Sequence, residues 1–220
     1  MELLEDKVGY AFNDEALLKL ALTHSSHVSD HKNNERLEFL GDAVLELVIS
    51  EYLFGLGCYS EGEMTKLRAN IVCGESLSHV AQNIQLGSYL IMGKGEIVTG
   101  GRKKRSNLAD AFEAMLGAIF LDSDYDTVKA LILRLLSKNI NSALKGELNN
   151  DYKTALQEQI QKQSDSVIEY ALVKTVGPEH DKIFHIELKI NHEVVAAGKG
   201  KSKKEAEQNA AKAYLKELLN

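Results

Sequence analysis

The spacing of apolar residues changes once along this 220-residue chain, and that change limits the fold more than composition does. Over residues 13–136 the apolar positions recur at helical spacing through NDEALLKLALTH, NNERLEFLGDAVLELVISEY, EGEMTKLRANIV, GESLSHVAQNIQL, NLADAFEAMLGAIFLD and DTVKALILRLLSKNI. Strand patterns are nearly absent there. Asp14, Ser76 and Asp126 suit helix starts, and residues 87–101 read as a glycine-punctuated loop. GELNND (146–151) has turn formers and no apolar period, which marks a linker. Beyond it, a short amphipathic helix over 154–163 precedes strand formers at 167–174 and a turn at Gly177-Pro178. Phe184, Ile186, Leu188 and Ile190 then alternate with His185, Glu187 and Lys189, the period of a half-buried strand. Asn191-His192 suits a hairpin turn into 193–197, and Ser202 suits the cap of a last helix striped by Ala206, Ala210, Ala213, Tyr214 and Leu218. The expectation is an all-α domain over 1–147 and an α+β domain of order α-β-β-β-α over 151–220.

The helical part carries acids where a core is expected. Glu35, Glu38 and Asp42 stand at i, i+3 and i+7, and Asp110 and Glu113 at i and i+3, so each set shares one helix face. Phe39, Leu40, Gly41 and Ala43 interleave with the first set. A solvated acidic face would not need such neighbours, nor Gly41 and Gly117, each of which costs about 1 kcal/mol in a helix. Carboxylates that repel one another and lose hydration require a cation in exchange. With no histidine or cysteine at metal-ligand spacing, the all-oxygen set favours Mg²⁺, with Mn²⁺ able to substitute, over Zn²⁺ or a di-iron centre. Such an ion completes its shell with water and phosphate oxygens, so phosphodiester hydrolysis is the natural chemistry.

Charge is distributed to match. Residues 1–150 hold 15 Lys+Arg against 21 Asp+Glu, whereas 151–220 balance at 11 against 11. Lys199, Lys201, Lys203 and Lys204 crowd the turn before the last helix, and Arg102 to Arg105 form a basic block ahead of the second acidic helix. Both are candidate phosphate contacts. Cys58 and Cys73 match no metal or redox motif and read as reduced thiols, while His24 and His31 read as structural or surface residues. No signal peptide or membrane-spanning run is present, so a cytoplasmic protein without membrane contact is expected.

ERLEFLGDAVLEL resembles the signature of the ribonuclease III family, and LADAFEAMLGAIFLD its second acidic motif. ALTHSS, SEGEMTKLRAN and GGRKKRSNLAD resemble further family segments in the family's order, and GKGKSKKEAEQNAA resembles the most diagnostic part of a double-stranded RNA-binding domain. The resemblance implies an all-α catalytic domain followed by that RNA-binding domain, with Glu38, Asp42, Asp110 and Glu113 as metal ligands. Of these, Asp42 and Glu113 are the catalytic acids; Glu35 and Glu61 support the site. It also implies RNA contacts at Thr154, Gln157 and Glu158 for 2′-hydroxyls, at the turn containing His180, and at Lys201, Lys203 and Lys204 for phosphates across about 16 bp of duplex. Arg102 and Arg105 are further candidates for the RNA backbone. The chain departs from the family pattern where Gly57-Cys58-Tyr59 replaces a common proline and where Glu207 replaces a common lysine.

The implied protein is a Mg²⁺-dependent endoribonuclease that cuts double-stranded RNA, including ribosomal, messenger and transfer RNA precursors. Its products would carry 5′-phosphate and 3′-hydroxyl ends at staggered cuts. One acidic cluster per chain implies a homodimer to cut two strands, and without a GxxxxGK[ST] loop no nucleotide cofactor is implied. The alternative is a non-catalytic duplex-RNA scaffold, but such a chain would be expected to lose one of the four acids.

Overall fold

A computed structural model describes residues 2–28, 32–145, 152–161, 166–178 and 182–218. The chain divides into two compact units, Met1–Leu148 and Asn149–Asn220. The described part of the first unit is helical: α1 Glu2–Val8, α2 Glu15–Ala21, α3 Glu35–Leu56, α4 Glu61–Val72, α5 Gly74–Asn83, α6 Lys94–Val98, α7 Arg105–Asp122, α8 Tyr125–Leu135 and α9 Ser137–Leu144. Side chains set several of these boundaries. Asp14 accepts the Ala16 N–H at the start of α2, and Ser60 and Glu63 form a reciprocal capping box on α4.

Four local features differ from the sequence reading. Ser76 caps nothing: α5 already begins at Gly74, and the Ser76 hydroxyl donates to Ile71 O at 2.6 Å and accepts from Asn139 Nδ2 at 2.6 Å, joining α5 to α9. Asp124 rather than Asp126 caps α8, because its extended backbone lets the carboxylate accept the Thr127 N–H at 2.8 Å. The long pattern over 126–140 breaks at Leu136, which is fully buried where α8 turns into α9. Finally, α1 and α6 form where no helix was assigned; α1 is held by Leu4 and Val8, which lie one turn apart and are both buried.

Helices α3 and α7 form the centre of this unit. Their apolar faces supply Val44, Leu45, Val48 and Ile49 from one and Leu108, Phe112, Met115 and Ile119 from the other to the main core. Leu37, Ala114 and Ala118 pack with Ala21 of α2 beside it. The two helices touch backbone to backbone at glycines. A methyl on Gly41 would overlap the Glu113 carbonyl, and one on Gly117 would overlap the Leu37 carbonyl. This is why the glycines stand in helix interiors despite their intrinsic cost.

In the second unit, α10 Tyr152–Gln161 precedes β1 Ile168–Val176, β2 Ile183–Ile190 and β3 Glu193–Gly200, followed by α11 Lys203–Leu218. The strands form an antiparallel sheet in sequence order. Asn191 and His192, both at positive φ, make the β2–β3 turn as their sequence suggests. Leu188 packs with Leu156 and Ile160 of α10 and Ala210 and Ala211 of α11 in a small core. Lys153 pairs with Glu207 at 2.6 Å, so the unusual acid at 207 ties α10 to α11. The 146–151 linker and the turn at 179–181 lie outside the described residues.

Candidate metal centre and nucleic-acid interface

The glycine contact places the acidic faces of α3 and α7 against each other. Ligand oxygens of Glu38, Asp110 and Glu113 lie within 4.8 Å of one another, each on a partly buried side chain. Burial, followed by the charges of Asp42, Glu38 and Asp110, pushes the Glu113 carboxyl up to about 8. Glu38 is raised first by burial and then by Asp110, Glu35 and Asp42. Asp110 is raised by burial and partly pulled back by His24 and Lys104. No ion pair among the described residues involves these three carboxylates. An all-oxygen donor set held this close, with no ion pair of its own among the described residues, fits a hard divalent cation.

The other acids take different positions. Asp42 lies one turn beyond Glu38 on α3; its side chain is exposed and outside the three-oxygen group, although its charge acts on both glutamates. Glu35 accepts the Asn33 side-chain amide at 3.2 Å and donates its own N–H to Asn33 Oδ1, at the mouth of α3. Glu61 is exposed in the first turn of α4, where it accepts the Thr65 hydroxyl at 3.1 Å. It lines a groove of about 460 Å³ with Leu47, Phe54, Met64 and Arg68 rather than joining the cluster.

The basic block is partly committed to the fold. Arg102 donates to the Gly87 and Ser88 carbonyls at 3.0 and 2.7 Å, closing the loop before α7, while Arg105 pairs with Glu75 at 3.3 Å. On the second unit, Thr154 and Gln157 are exposed on α10, and Lys201, Lys203 and Lys204 are exposed at the start of α11. The Ser202 hydroxyl accepts the Glu205 N–H at 3.1 Å, and Glu205 accepts the Lys201 N–H at 2.7 Å, fixing that turn. His180 and the side chain of Glu158 lie outside the described residues.

A family model for ribonuclease-III-like domains matches residues 14–140, and one for the double-stranded RNA binding motif matches residues 152–218. The chain belongs to the ribonuclease III family. It is 50% identical over 220 residues to ribonuclease 3 of Caldanaerobacter subterraneus, covering 98% of this chain and 96% of that protein. The identity to ribonuclease 3 of Clostridium tetani is 49% over 219 residues, covering 98% and 93%. The solved nuclease domain of ribonuclease III from Campylobacter jejuni matches with a TM-score of 0.61 and 46% identity, covering 63% of this chain and 96% of that one. That structure is described as flexible in a region involved in dimer formation.

In this ribonuclease III chain, one residue near the cluster escaped the sequence reading. His24 exerts the leading opposing charge on Asp110, although it lies far from Asp110 in sequence and matches no ligand spacing. The histidine inside ALTHSS was itself the available signal. What sequence alone could not supply was the loop contact that brings it to the cluster.

Proposed function

We propose that this chain is a divalent-metal-dependent endoribonuclease for double-stranded RNA, with the carboxylates of Glu38, Asp110 and Glu113, joined by Asp42, as its metal centre. The observation that carries the reading is the convergence of three half-buried carboxylates from two helices within 4.8 Å. A Mg²⁺ or Mn²⁺ held by these carboxylates would supply polarisation of the phosphodiester and a lowered pKa of the attacking water. Burial and the neighbouring acids raise the proton affinity of Glu113 and Glu38, so a cation held by either would compete with a proton. Asp42, the one exposed acid of the four, would meet the incoming water or phosphate.

Lys201, Lys203 and Lys204 at the α11 turn are assigned to phosphates, and Thr154 and Gln157 to 2′-hydroxyls, as A-form duplex recognition requires. Glu158 and His180 belong to the same proposed RNA surface, Glu35 and Glu61 to supporting roles, and Arg102 and Arg105 to contacts with the RNA backbone. We assign a homodimer because α3 displays an exposed apolar stripe, Phe39, Ala43, Leu47 and Phe54, beside the groove that holds Glu61. The products would carry 5′-phosphate and 3′-hydroxyl ends at staggered cuts in ribosomal, messenger and transfer RNA precursors, and the protein would work in the cytoplasm. Among the described residues, no helix is long and apolar enough to cross a membrane.

The deciding experiment incubates the full chain and its Glu113→Gln variant with a long duplex RNA, with and without Mg²⁺, and maps both ends of the products. Cutting that requires metal and Glu113, leaving 5′-phosphates, supports the reading. Equal cutting by the variant, or no cutting by the parent, overturns it.

A further inference from the structure

The segment after α2 is pinned to three parts of the cluster's frame. Thr23 bridges Ile91 in parallel, with the His24 N–H donating to Ile91 O at 2.9 Å and the Ile91 N–H to Leu22 O at 2.8 Å. The Asn34 N–H donates to Thr23 O at 2.8 Å, and Asn34 O accepts from the N–H of Glu38 itself. Gly93, at the start of α6, donates its N–H to Ser26 Oγ at 3.0 Å. On the same helix Glu96 accepts Asn107 Nδ2 at 2.9 Å, one turn before Asp110 on α7. Thr23 and Ser26, with His24 and Ser25 between them, are therefore tied to the turns that carry two of the three clustered carboxylates.

The same bonds determine which nitrogen of His24 bears hydrogen. The Ser26 backbone N–H, which can only donate, points to His24 Nδ1 at 3.0 Å. Ser26 Oγ lies 2.8 Å from Nδ1 and already accepts from Gly93, so its hydrogen is free to point at the ring. Nδ1 is the acceptor in both contacts, which leaves the hydrogen of the neutral ring on Nε2. Among the described residues Nε2 has no hydrogen-bond partner, and the side chain is partly exposed.

We propose that the Nε2–H of His24 donates a hydrogen bond to a phosphate oxygen of the RNA strand seated at the Glu38, Asp110 and Glu113 cluster, which makes His24 a catalytic residue. The inference rests on the proposed nuclease reading. Because Ser26 engages one ring nitrogen through its backbone N–H and its hydroxyl, the other nitrogen offers a directed N–H to an oxygen acceptor.

The test uses the full chain and two variants of similar shape. In His24→Gln the amide nitrogen reaches the place of Nε2, and in His24→Asn only that of Nδ1. Single-turnover cleavage of duplex RNA in Mg²⁺ should fall about 10- to 100-fold in kcat for the Asn variant, with KM little changed, and stay within a few-fold of the parent for the Gln variant. Mn²⁺ affinity, followed by the paramagnetic signal of the ion, should be the same in all three. Equal loss in both variants would overturn the proposal. So would Mn²⁺ affinity falling in step with kcat, since His24 would then act on Asp110 rather than on RNA. A parent chain that fails to cut removes the nuclease reading and this inference together, whereas full activity in the Asn variant removes only this one. A second measurement keeps His24 itself: in the non-cleaving Glu113→Gln protein, the His24 Nε2–H proton should move downfield and exchange more slowly when duplex RNA and Mg²⁺ are added. An unchanged resonance overturns the contact.

Discussion

Replacing Glu113 with glutamine should stabilise the metal-free protein while removing its activity. The carboxyl of Glu113 moves from its ordinary 4.5 to about 8, chiefly through burial and then through Asp42, Glu38 and Asp110. A group whose native value is raised contributes fully below its unfolded value and loses that contribution as pH climbs to the native one. The wild-type protein without metal should therefore weaken from pH 4.5 to about pH 8 and level off above it. Glutamine, which resembles the protonated acid, does not titrate. At 1.36 kcal/mol per unit the full shift would be ~5 kcal/mol, but the cleft is open to water and screening reduces this to about 1–2 kcal/mol. For a unit of this size that raises Tm by about 3–8 °C. Melting curves of both proteins in chelator, from pH 5 to pH 9, should diverge as pH rises to 8 and run parallel beyond. Excess Mg²⁺ should close the gap by stabilising only the wild type. Parallel curves across the whole range, or a variant less stable at pH 8.5, would refute the account of the cluster as repelling carboxylates awaiting a cation.

Two further predictions concern surfaces. Lys203→Ala combined with Lys204→Ala should weaken duplex binding whatever the sequence and flatten the plot of log K against log salt by up to about one unit per lost contact; an unchanged slope in filter-binding titrations would remove both from the interface. Phe39→Asp, which puts a charge on an 80% exposed aromatic of α3, should shift the protein from dimer to monomer in sedimentation equilibrium while leaving its melting temperature within a few degrees, and an unshifted dimer would place the contact elsewhere.

What was legible in the sequence is what the chain writes locally. The spacing of Glu38 and Asp42, and of Asp110 and Glu113, is a property of single helices, so both acidic faces could be read before any contact was known. The hairpin at Asn191-His192 and the Ser202 cap are equally local. His24 shows the limit. Its ring is set by Ser26 two residues away, but its place beside the cluster depends on the bridge from Thr23 to Ile91 and the bond from Gly93 to Ser26, which no periodicity encodes. Ser76 failed as a predicted cap for a related reason: its hydroxyl is occupied by Ile71 and Asn139, a tertiary partnership that overrides the local preference.

Gly41 joins the two levels, since its helix cost is local and its reason is not. In most helix interiors Gly→Ala stabilises by about 1 kcal/mol. Gly55, on the same helix, has nothing within 4 Å of an added methyl and should follow that rule. At Gly41 the methyl would enter the Glu113 carbonyl, and a backbone group packed by Phe112, Ala114 and Met115, all fully buried, has no room to yield. Overpacking of this kind costs typically about 1–3 kcal/mol, more than the gain in propensity, so Gly41→Ala should lower Tm while Gly55→Ala raises it. Because the displaced backbone belongs to Glu113, activity should fall further than stability: a shift of about 1 Å in a catalytic group can cost about 100-fold. Measured together, the two variants separate helix propensity from close approach. If Gly41→Ala were as stable and as active as Gly55→Ala, the two acidic helices would not be held together by their glycines, and the convergence of Glu38 with Asp110 and Glu113 would need another cause.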